Sequence, residues 1–230
     1  MNENCTLESL AKLAQEYGMI GYLLAVMALA LSPAAHAQAA AEPVAAEPGT
    51  VLVVLETEFG DIAVSLETER APISAANFLR YVDEGRFDGT VFYRAMQLDW
   101  GDQPNGLVQA GTQYDPERTL PPIAHERTTD TGVLHLRGAL SMARNDPGTA
   151  TGDFSVMLQD APGMDANPED SDPNWQEGYA AFGYVIDGMD IIEAIHAAPT
   201  DPEKGEGWLK GQMLGDPVVI LKARRVLDEN

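Results

Sequence analysis

The first part of the chain with a regular pattern begins near Thr50. The stretch VLVVLETEFGDIAVSLE (51–67) holds two short runs rich in β-branched residues on either side of a polar turn, which predicts two paired strands. The next stretch, APISAANFLRYVDEG (71–85), spaces its apolar residues as one face of a helix. Pro72 suits the first turn of that helix and Gly85 its end.

Beyond this helix the pattern is one of short strands and polar loops. Five short apolar runs are separated by Gly, Pro, Asp and Asn, at 90–95, 106–110, 138–143, 153–158 and 180–186. GMDIIEAIHAA (188–198) predicts a second helix and PVVILKARRV (217–226) a last strand. Two helices and seven or eight strands, without β-α alternation, predict a mainly β fold, a closed antiparallel barrel with helical caps.

One connection, residues 159–178, is long for a domain of this size. It reads QDAPGMDANPEDSDPNWQEG and is rich in Pro and Asp. Loops of this length are usually functional or disordered. Met164 and Trp175 supply apolar anchors, so we expect this loop to pack as part of a groove wall.

The sequence predicts an export leader before this domain. Residues 19–31, MIGYLLAVMALAL, form an uncharged apolar run, and a small-x-small motif predicts cleavage after Ala37. The run is short for a membrane anchor, so we expect no stable membrane insertion after cleavage. The predicted organisation is a signal peptide at 1–37, an Ala/Glu/Pro linker at 38–49 and one domain at 50–230.

The segment before the apolar run departs from an ordinary signal peptide. Lys12 is outnumbered there by Glu3, Glu8 and Glu16, whereas such a region normally carries net positive charge. Translation from Met19 is one explanation. The predicted location is the periplasm of a Gram-negative bacterium, or the medium for a secreted protein.

Composition narrows the classes of partner and chemistry. The net charge of −22 and the pI near 4.3 argue against nucleic acid and anionic membranes as partners. The single cysteine, Cys5, lies before the predicted domain, so that domain has no disulfide, thiol nucleophile or cysteine-based zinc site.

Sequence motifs exclude several other chemistries. The chain has no phosphate-binding glycine motif, no H-E-x-x-H and no G-x-S-x-G. His125, His135 and His196 match no metal-ligand spacing, and the acidic tract at 165–172 lacks the Gly and Glu of an EF-hand loop. We therefore predict no metal and no cofactor, and a hydrolase has no supporting pattern of nucleophile and base.

Four ordered blocks resemble the cyclophilin-type peptidyl-prolyl isomerases. They are FGDIAVSLETERAPISAANFLRYVDEGRFDGTVFYRAM (59–96), RGALSMAR (137–144), AAFGYVIDGMDIIEAI (180–195) and DPVVILKARRV (216–226). The resemblance implies a closed eight-stranded antiparallel barrel capped by two α-helices, with an external groove that binds X-Pro peptides. It also implies proline-containing polypeptides as partners, and we expect a monomer.

The resemblance assigns the catalytic pair to Arg94 and Gln109. An X-Pro bond rotates over a barrier of about 20 kcal/mol, because twisting it breaks amide resonance. The proline nitrogen then regains a lone pair, to which a guanidinium can donate a hydrogen bond. Stronger binding of the twisted bond than of the planar one is itself catalysis. Gln109 is expected to orient the substrate carbonyl and the arginine.

The resemblance also supplies substrate-binding residues. Tyr93 precedes the arginine, Ala143 corresponds to a residue that meets the peptide backbone, and Tyr179 and Met164 correspond to walls of the proline pocket. These four are therefore expected to line the groove.

The chain departs from the family pattern on the other pocket walls. Arg94 and Gln109 lie fifteen residues apart rather than the family's eight, and Gly106 and Ser155 stand where the family has pocket phenylalanines. Two residues are candidates to restore one of these aromatic walls: Trp100 in the insertion, or Phe154 through a register shift. We accordingly hold two hypotheses, an exported isomerase acting on folding proteins, and a proline-peptide-binding module or chaperone with little turnover.

Overall fold

Eight antiparallel strands close into a barrel in the computed structural model, which describes residues 47–226. The strands are β1 Val51–Thr57, β2 Gly60–Leu66, β3 Val91–Met96, β4 Leu107–Gly111, β5 Ala139–Met142, β6 Phe154–Met157, β7 Ala181–Asp187 and β8 Met213–Arg225. Their order around the barrel is β1-β2-β7-β5-β6-β4-β3-β8. The predicted eight-stranded fold is therefore confirmed.

Four α-helices accompany the barrel in the described part of the chain. They are α1 Pro72–Asp83, α2 Thr128–Thr131, α3 Pro173–Glu177 and α4 Met189–His196. The two longer helices lie where the sequence predicts them: α1 packs against β7 and β8, and α4 against β2, β3 and β4. The two short helices lie in connections for which the sequence pattern predicts loops.

An aromatic cluster fills the barrel next to α1. The ring of Phe78 lies 4.8 Å from that of Phe87, 5.1 Å from Phe154 and 5.4 Å from Phe182. All four side chains are buried. Because successive strand residues face opposite sides, the inward position of Phe154 leaves its neighbour Ser155 on the outer surface of the barrel.

The last strand is longer than its apolar run suggests. It begins at Met213, whereas the sequence predicts a start at 217. Between β3 and β8 the register shifts, so that Phe92 pairs with Val218 but Arg94 pairs with Met213. The Gly-Asp-Pro sequence at 215–217 has the composition of a loop and gives no sign of this first part of the strand.

The predicted signal peptide at 1–37 and most of the linker at 38–49 lie outside the described residues. Within 47–226, no helix has the length and apolar content that crossing a membrane requires.

Candidate active site

A β-bulge in β3 places two adjacent side chains on one surface. Phe92 pairs with Ala110 on β4, but Arg94 pairs with Gln109, so Tyr93 is the extra residue. In a regular strand Tyr93 and Arg94 would point to opposite faces, and a bulge re-aims one of them. Both side chains line the same external groove.

The predicted catalytic pair converges in this groove. Arg94 Nη1 donates a hydrogen bond of 2.8 Å to Gln109 Oε1, across the fifteen-residue separation in sequence. The arginine is only 5% exposed, and burial lowers its pKa to about 10. It therefore stays charged at neutral pH while presenting N–H groups to a partly desolvated groove.

The groove has a volume of about 660 Å³ and a mixed lining. Its floor follows the barrel surface, because the register aligns Arg94 of β3 with Gln109 of β4, Ser155 of β6 and Ser141 of β5. The remaining lining is Tyr93, Met96, Leu107, Gln113, Tyr114, Met142, Ala143, Arg144, Asn145, Asp153, Met164, Trp175, Tyr179, Trp208, Leu209 and Met213.

Most of the substrate-binding residues expected from sequence lie in this lining. Tyr93, Ala143, Ser155, Met164 and Tyr179 all contribute to it. The 159–178 connection forms a wall of the groove, as expected, through Met164, Trp175 and Tyr179 just after it. It is not irregular throughout, because it contains a 3-10 helix, Pro162–Met164, as well as α3.

Trp100 lies outside the groove, at the exposed tip of the 97–106 loop. Its side chain is 69% exposed. The loop is closed on itself by the fully buried Asn105, whose Oδ1 accepts from Leu98 N at 2.9 Å and whose Nδ2 donates to Trp100 O at 2.8 Å. These bonds hold the backbone of the insertion, and the structure does not bring the indole to the proline pocket.

Phe154 also lies outside the groove. It is buried with the aromatic cluster of the barrel core, and β6 pairs with β4 and β5 without a register shift. Regular alternation therefore keeps Phe154 inside and Ser155 outside. Neither candidate supplies the missing aromatic wall.

Gly106 explains why one of those walls is absent. Its φ is +80°, and a Cβ built there would lie 2.1 Å from the carbonyl oxygen of Met96. No side chain fits in that space, so the loop that returns the chain to β4 excludes an aromatic residue at this position.

A cation–π contact stabilises the wall around Tyr179. The guanidinium of Arg144 lies 4.5 Å from the centre of the Tyr179 ring and donates to Gly178 O at 2.6 Å. Trp175 packs on the same ring at 6.1 Å between centroids. This arrangement fixes the orientation of an amphipathic side chain at the groove edge.

Ser141, His135 and Asp165 form a hydrogen-bonded chain that spacing alone did not reveal. His135 Nδ1 lies 2.6 Å from Asp165 Oδ1, and His135 Nε2 lies 2.9 Å from Ser141 Oγ. Burial lowers the pKa of His135 and so favours the neutral ring. Because the Asp165 oxygen can only accept, the proton lies on Nδ1, and Nε2 accepts from the serine hydroxyl. The order resembles a hydrolase triad, but Ser141 is 1% exposed. Ser141 contributes to the groove floor, but its Oγ is hydrogen-bonded to the buried His135, and we interpret the chain of three residues as an anchor that ties the 159–178 loop to β5.

Two further side chains reach Arg94 from a segment in which the sequence pattern marks no functional residue. Gln212 Oε1 accepts from Arg94 Nε at 2.9 Å and from Nη2 at 2.7 Å. The ring of Trp208 lies 4.6 Å from the guanidinium carbon. Both residues precede the apolar part of β8, in a segment whose sequence shows neither a strand pattern nor a motif.

Metal ligation has no support in the described residues. Among residues 47–226, no three His, Cys, Asp or Glu side chains are grouped closely enough to hold an ion. The acidic side chain in the groove, Asp153, instead accepts a hydrogen bond from Gln113 N at 2.8 Å. Burial raises the pKa of this carboxyl group.

Sequence comparison with known proteins points to one protein family. The sequence model of the cyclophilin type peptidyl-prolyl cis-trans isomerases matches residues 52–224. A peptidyl-prolyl cis-trans isomerase of Acinetobacter baylyi is 35% identical over 153 residues, covering 65% of this chain and 73% of that protein. One from Streptomyces antibioticus is 36% identical over 174 residues, covering 75% and 96%.

A solved structure shows the same fold. The cyclophilin type peptidyl-prolyl cis-trans isomerase of Cryptosporidium parvum superposes with a TM-score of 0.61 at 19% identity, covering 78% of this chain and 99% of that one. With a family model that spans nearly all of the barrel and relatives above 30% identity, the chain belongs to the cyclophilin-type peptidyl-prolyl cis-trans isomerase family.

Proposed function

We propose that this protein accelerates cis-trans isomerisation of X-Pro bonds in exported polypeptides as they fold, with Arg94 as the principal catalytic residue. The observation that carries the proposal is the pairing of Arg94 Nη1 with Gln109 Oε1 at 2.8 Å inside the groove. Gln109 accepts one of the two Nη1 hydrogens, which leaves the other for a substrate.

The mechanism follows from which state of the substrate accepts that hydrogen bond. In the planar X-Pro amide the nitrogen lone pair is delocalised and is a poor acceptor. In the twisted bond the lone pair is localised, and Arg94 donates to it. Gln109 holds the guanidinium in place, so little reorganisation is needed as the bond twists. No bond is broken, and neither a nucleophile nor a metal is required.

The direct test compares the wild-type protein with Arg94→Ala in an NMR exchange assay on an X-Pro peptide. We expect kcat/KM to fall about 10²-fold, as when a preorganised donor is removed from other sites. Arg80→Ala is the matched control, because Arg80 lies on α1 with a largely exposed side chain and should leave the rate unchanged. Equal, substantial activity in wild type and Arg94→Ala would exclude Arg94 as the catalytic residue.

A second function is favoured by the missing pocket aromatics. Gly106 and Ser155 offer a proline ring less apolar contact than two phenylalanines, and neither Trp100 nor Phe154 compensates. A protein that binds proline peptides as a chaperone but turns them over slowly has this property. Peptide binding by wild type, with exchange no faster than the uncatalysed rate, would select this function over the isomerase.

Export is supported by sequence alone, through the apolar run at 19–31 and the cleavage motif ending at Ala37. We expect the mature protein to begin at Gln38 and to reside outside the cytoplasm. We also expect it to be a monomer. Intact-mass measurement on the periplasmic fraction of an expressing Gram-negative host would check the cleavage site. Light scattering would check the oligomeric state.

A further inference from the structure

The guanidinium of Arg94 has a second set of partners besides Gln109. An arginine side chain presents five N–H groups. Its Nε edge donates twice to Gln212 Oε1, at 2.9 and 2.7 Å, and Nη2 lies 3.4 Å from Met96 Sδ. Within the described residues, the hydrogen bonds to Gln212 fix the edge of the guanidinium that carries Nε and Nη2. The opposite edge, which carries Nη1, then faces the groove.

The orientation of Gln212 is itself fixed. Its Nε2 donates to Trp208 O at 2.8 Å, which directs Oε1 toward Arg94. Its backbone oxygen accepts from Ala95 N at 2.9 Å, which joins the segment to β3. The amide therefore acts as a fixed brace rather than as a mobile surface side chain.

Trp208 is unusual in its exposure. It lies in a 3-10 helix, Gly207–Leu209, with its ring 4.6 Å from the guanidinium carbon of Arg94, yet 72% of the side chain is exposed. An exposed indole beside a buried cation at a groove presents a ready apolar surface. Leu209 and Met213 line the groove beside it, so one side of Arg94 is an apolar patch.

We propose that Trp208 is a specificity-determining residue that binds a large apolar side chain next to the substrate proline, and that Gln212 is the positioning residue that holds Arg94 beside it. This inference rests on the proposed isomerase function. It gives the groove an aromatic contact surface other than the two pocket phenylalanines that the chain lacks. The substrates it selects are X-Pro segments with a bulky apolar neighbour such as Leu or Phe.

The first experiment measures kcat/KM of wild type, Trp208→Ala, Trp208→Phe and Trp100→Ala on matched peptides. The peptides carry Leu or Gly next to proline, varied before and after it. Trp208→Ala should lower kcat/KM about tenfold for the Leu peptides and much less for the Gly peptides. Trp208→Phe should restore most of the loss. Trp100→Ala is the control, since Trp100 is 69% exposed, close to the 72% of Trp208, but lies outside the groove.

Three outcomes would overturn the assignment of Trp208. They are an equal loss on Leu and Gly peptides, no loss at all, and a gain in activity, which would mean that the indole blocks the site. Thermal unfolding of each variant separates these results from a loss of folding. An inactive wild type with intact fold would instead refute the proposed isomerase function, independently of Trp208.

The second experiment tests Gln212 through the separation of kcat from KM. Gln212→Ala should lower kcat about tenfold with KM nearly unchanged, because Arg94 loses orientation while the apolar surface remains. Gln212→Glu, which keeps the acceptor oxygen, should recover part of kcat. Gln176→Ala is the matched control, since its amide donates to Asp170 O, away from Arg94. A change in KM alone, or no recovery with Glu, would contradict a positioning role.

Discussion

Gly106 determines the shape of the groove at the level of a single residue. Its φ is positive, and a Cβ at this position would lie 2.1 Å from the carbonyl oxygen of Met96, so there is room only for hydrogen. A family member with an aromatic residue here must route this loop differently. Substitution at this site therefore cannot restore the missing wall in this chain.

Replacement of Gly106 by alanine should destabilise the protein by more than the cost of placing an alanine at a positive φ. We expect a loss of about 3 kcal/mol in unfolding free energy, since a backbone clash adds to the cost of a left-handed L-residue. Gly148→Ala is a close control, with φ +82° and no atom within 4 Å of the built Cβ, and should lose about 1 kcal/mol. Urea denaturation measures both, and equal losses would refute the clash.

At the scale of elements, the 159–178 loop is held to the barrel by a titratable anchor. His135 links Asp165 of the loop to Ser141 of β5, and its backbone oxygen accepts from Ala161 N at 2.7 Å. In the neutral imidazole Nε2 accepts from the serine, whereas an imidazolium would donate there and would carry a charge that burial disfavours. A groove wall is thus tied to the protonation state of one buried ring.

This anchor predicts a stability that falls with acidification. Burial holds the pKa of His135 below its ordinary 6.5, so below pH 6.5 the unfolded state binds a proton that the folded state resists. The contribution of His135 to the unfolding free energy should therefore be complete above pH 6.5. It should decline as the pH falls toward the lower pKa of the folded state. His135→Gln should be less stable at pH 7.5 but lose less between pH 7 and 5. Parallel pH curves for both proteins in urea titrations would contradict this.

The elements differ in how far the sequence could predict them. α1, α4 and most strands carry their own apolar periodicity, and Arg94 and Gln109 follow from family motifs on either side of the insertion. The start of β8 could not be predicted, because 215–217 has the composition of a loop. Trp208 and Gln212 act only through a tertiary contact with Arg94, which lies 118 positions before Gln212, and no local pattern encodes such a contact.

At the scale of the whole molecule, the net charge of −22 sets a dependence on ionic strength. Mutual repulsion of excess carboxylates opposes the folded state, and added salt screens it. The melting temperature should rise between about 0.01 and about 0.3 M NaCl, over which the screening length falls severalfold. KCl should give the same rise, since screening does not depend on the identity of the cation. A fall with salt would show that exposed ion pairs outweigh the repulsion.

The closure of the barrel through β8 has a consequence for biosynthesis. β8 pairs with both β1 and β3, and Gln212, directly before it, braces Arg94. A ribosome delivers Arg94 more than a hundred residues before these partners, so the emerging chain carries an arginine without its brace in an open sheet. We therefore expect the active site to form only after translation has passed Arg225, so that no shorter nascent chain carries a complete site.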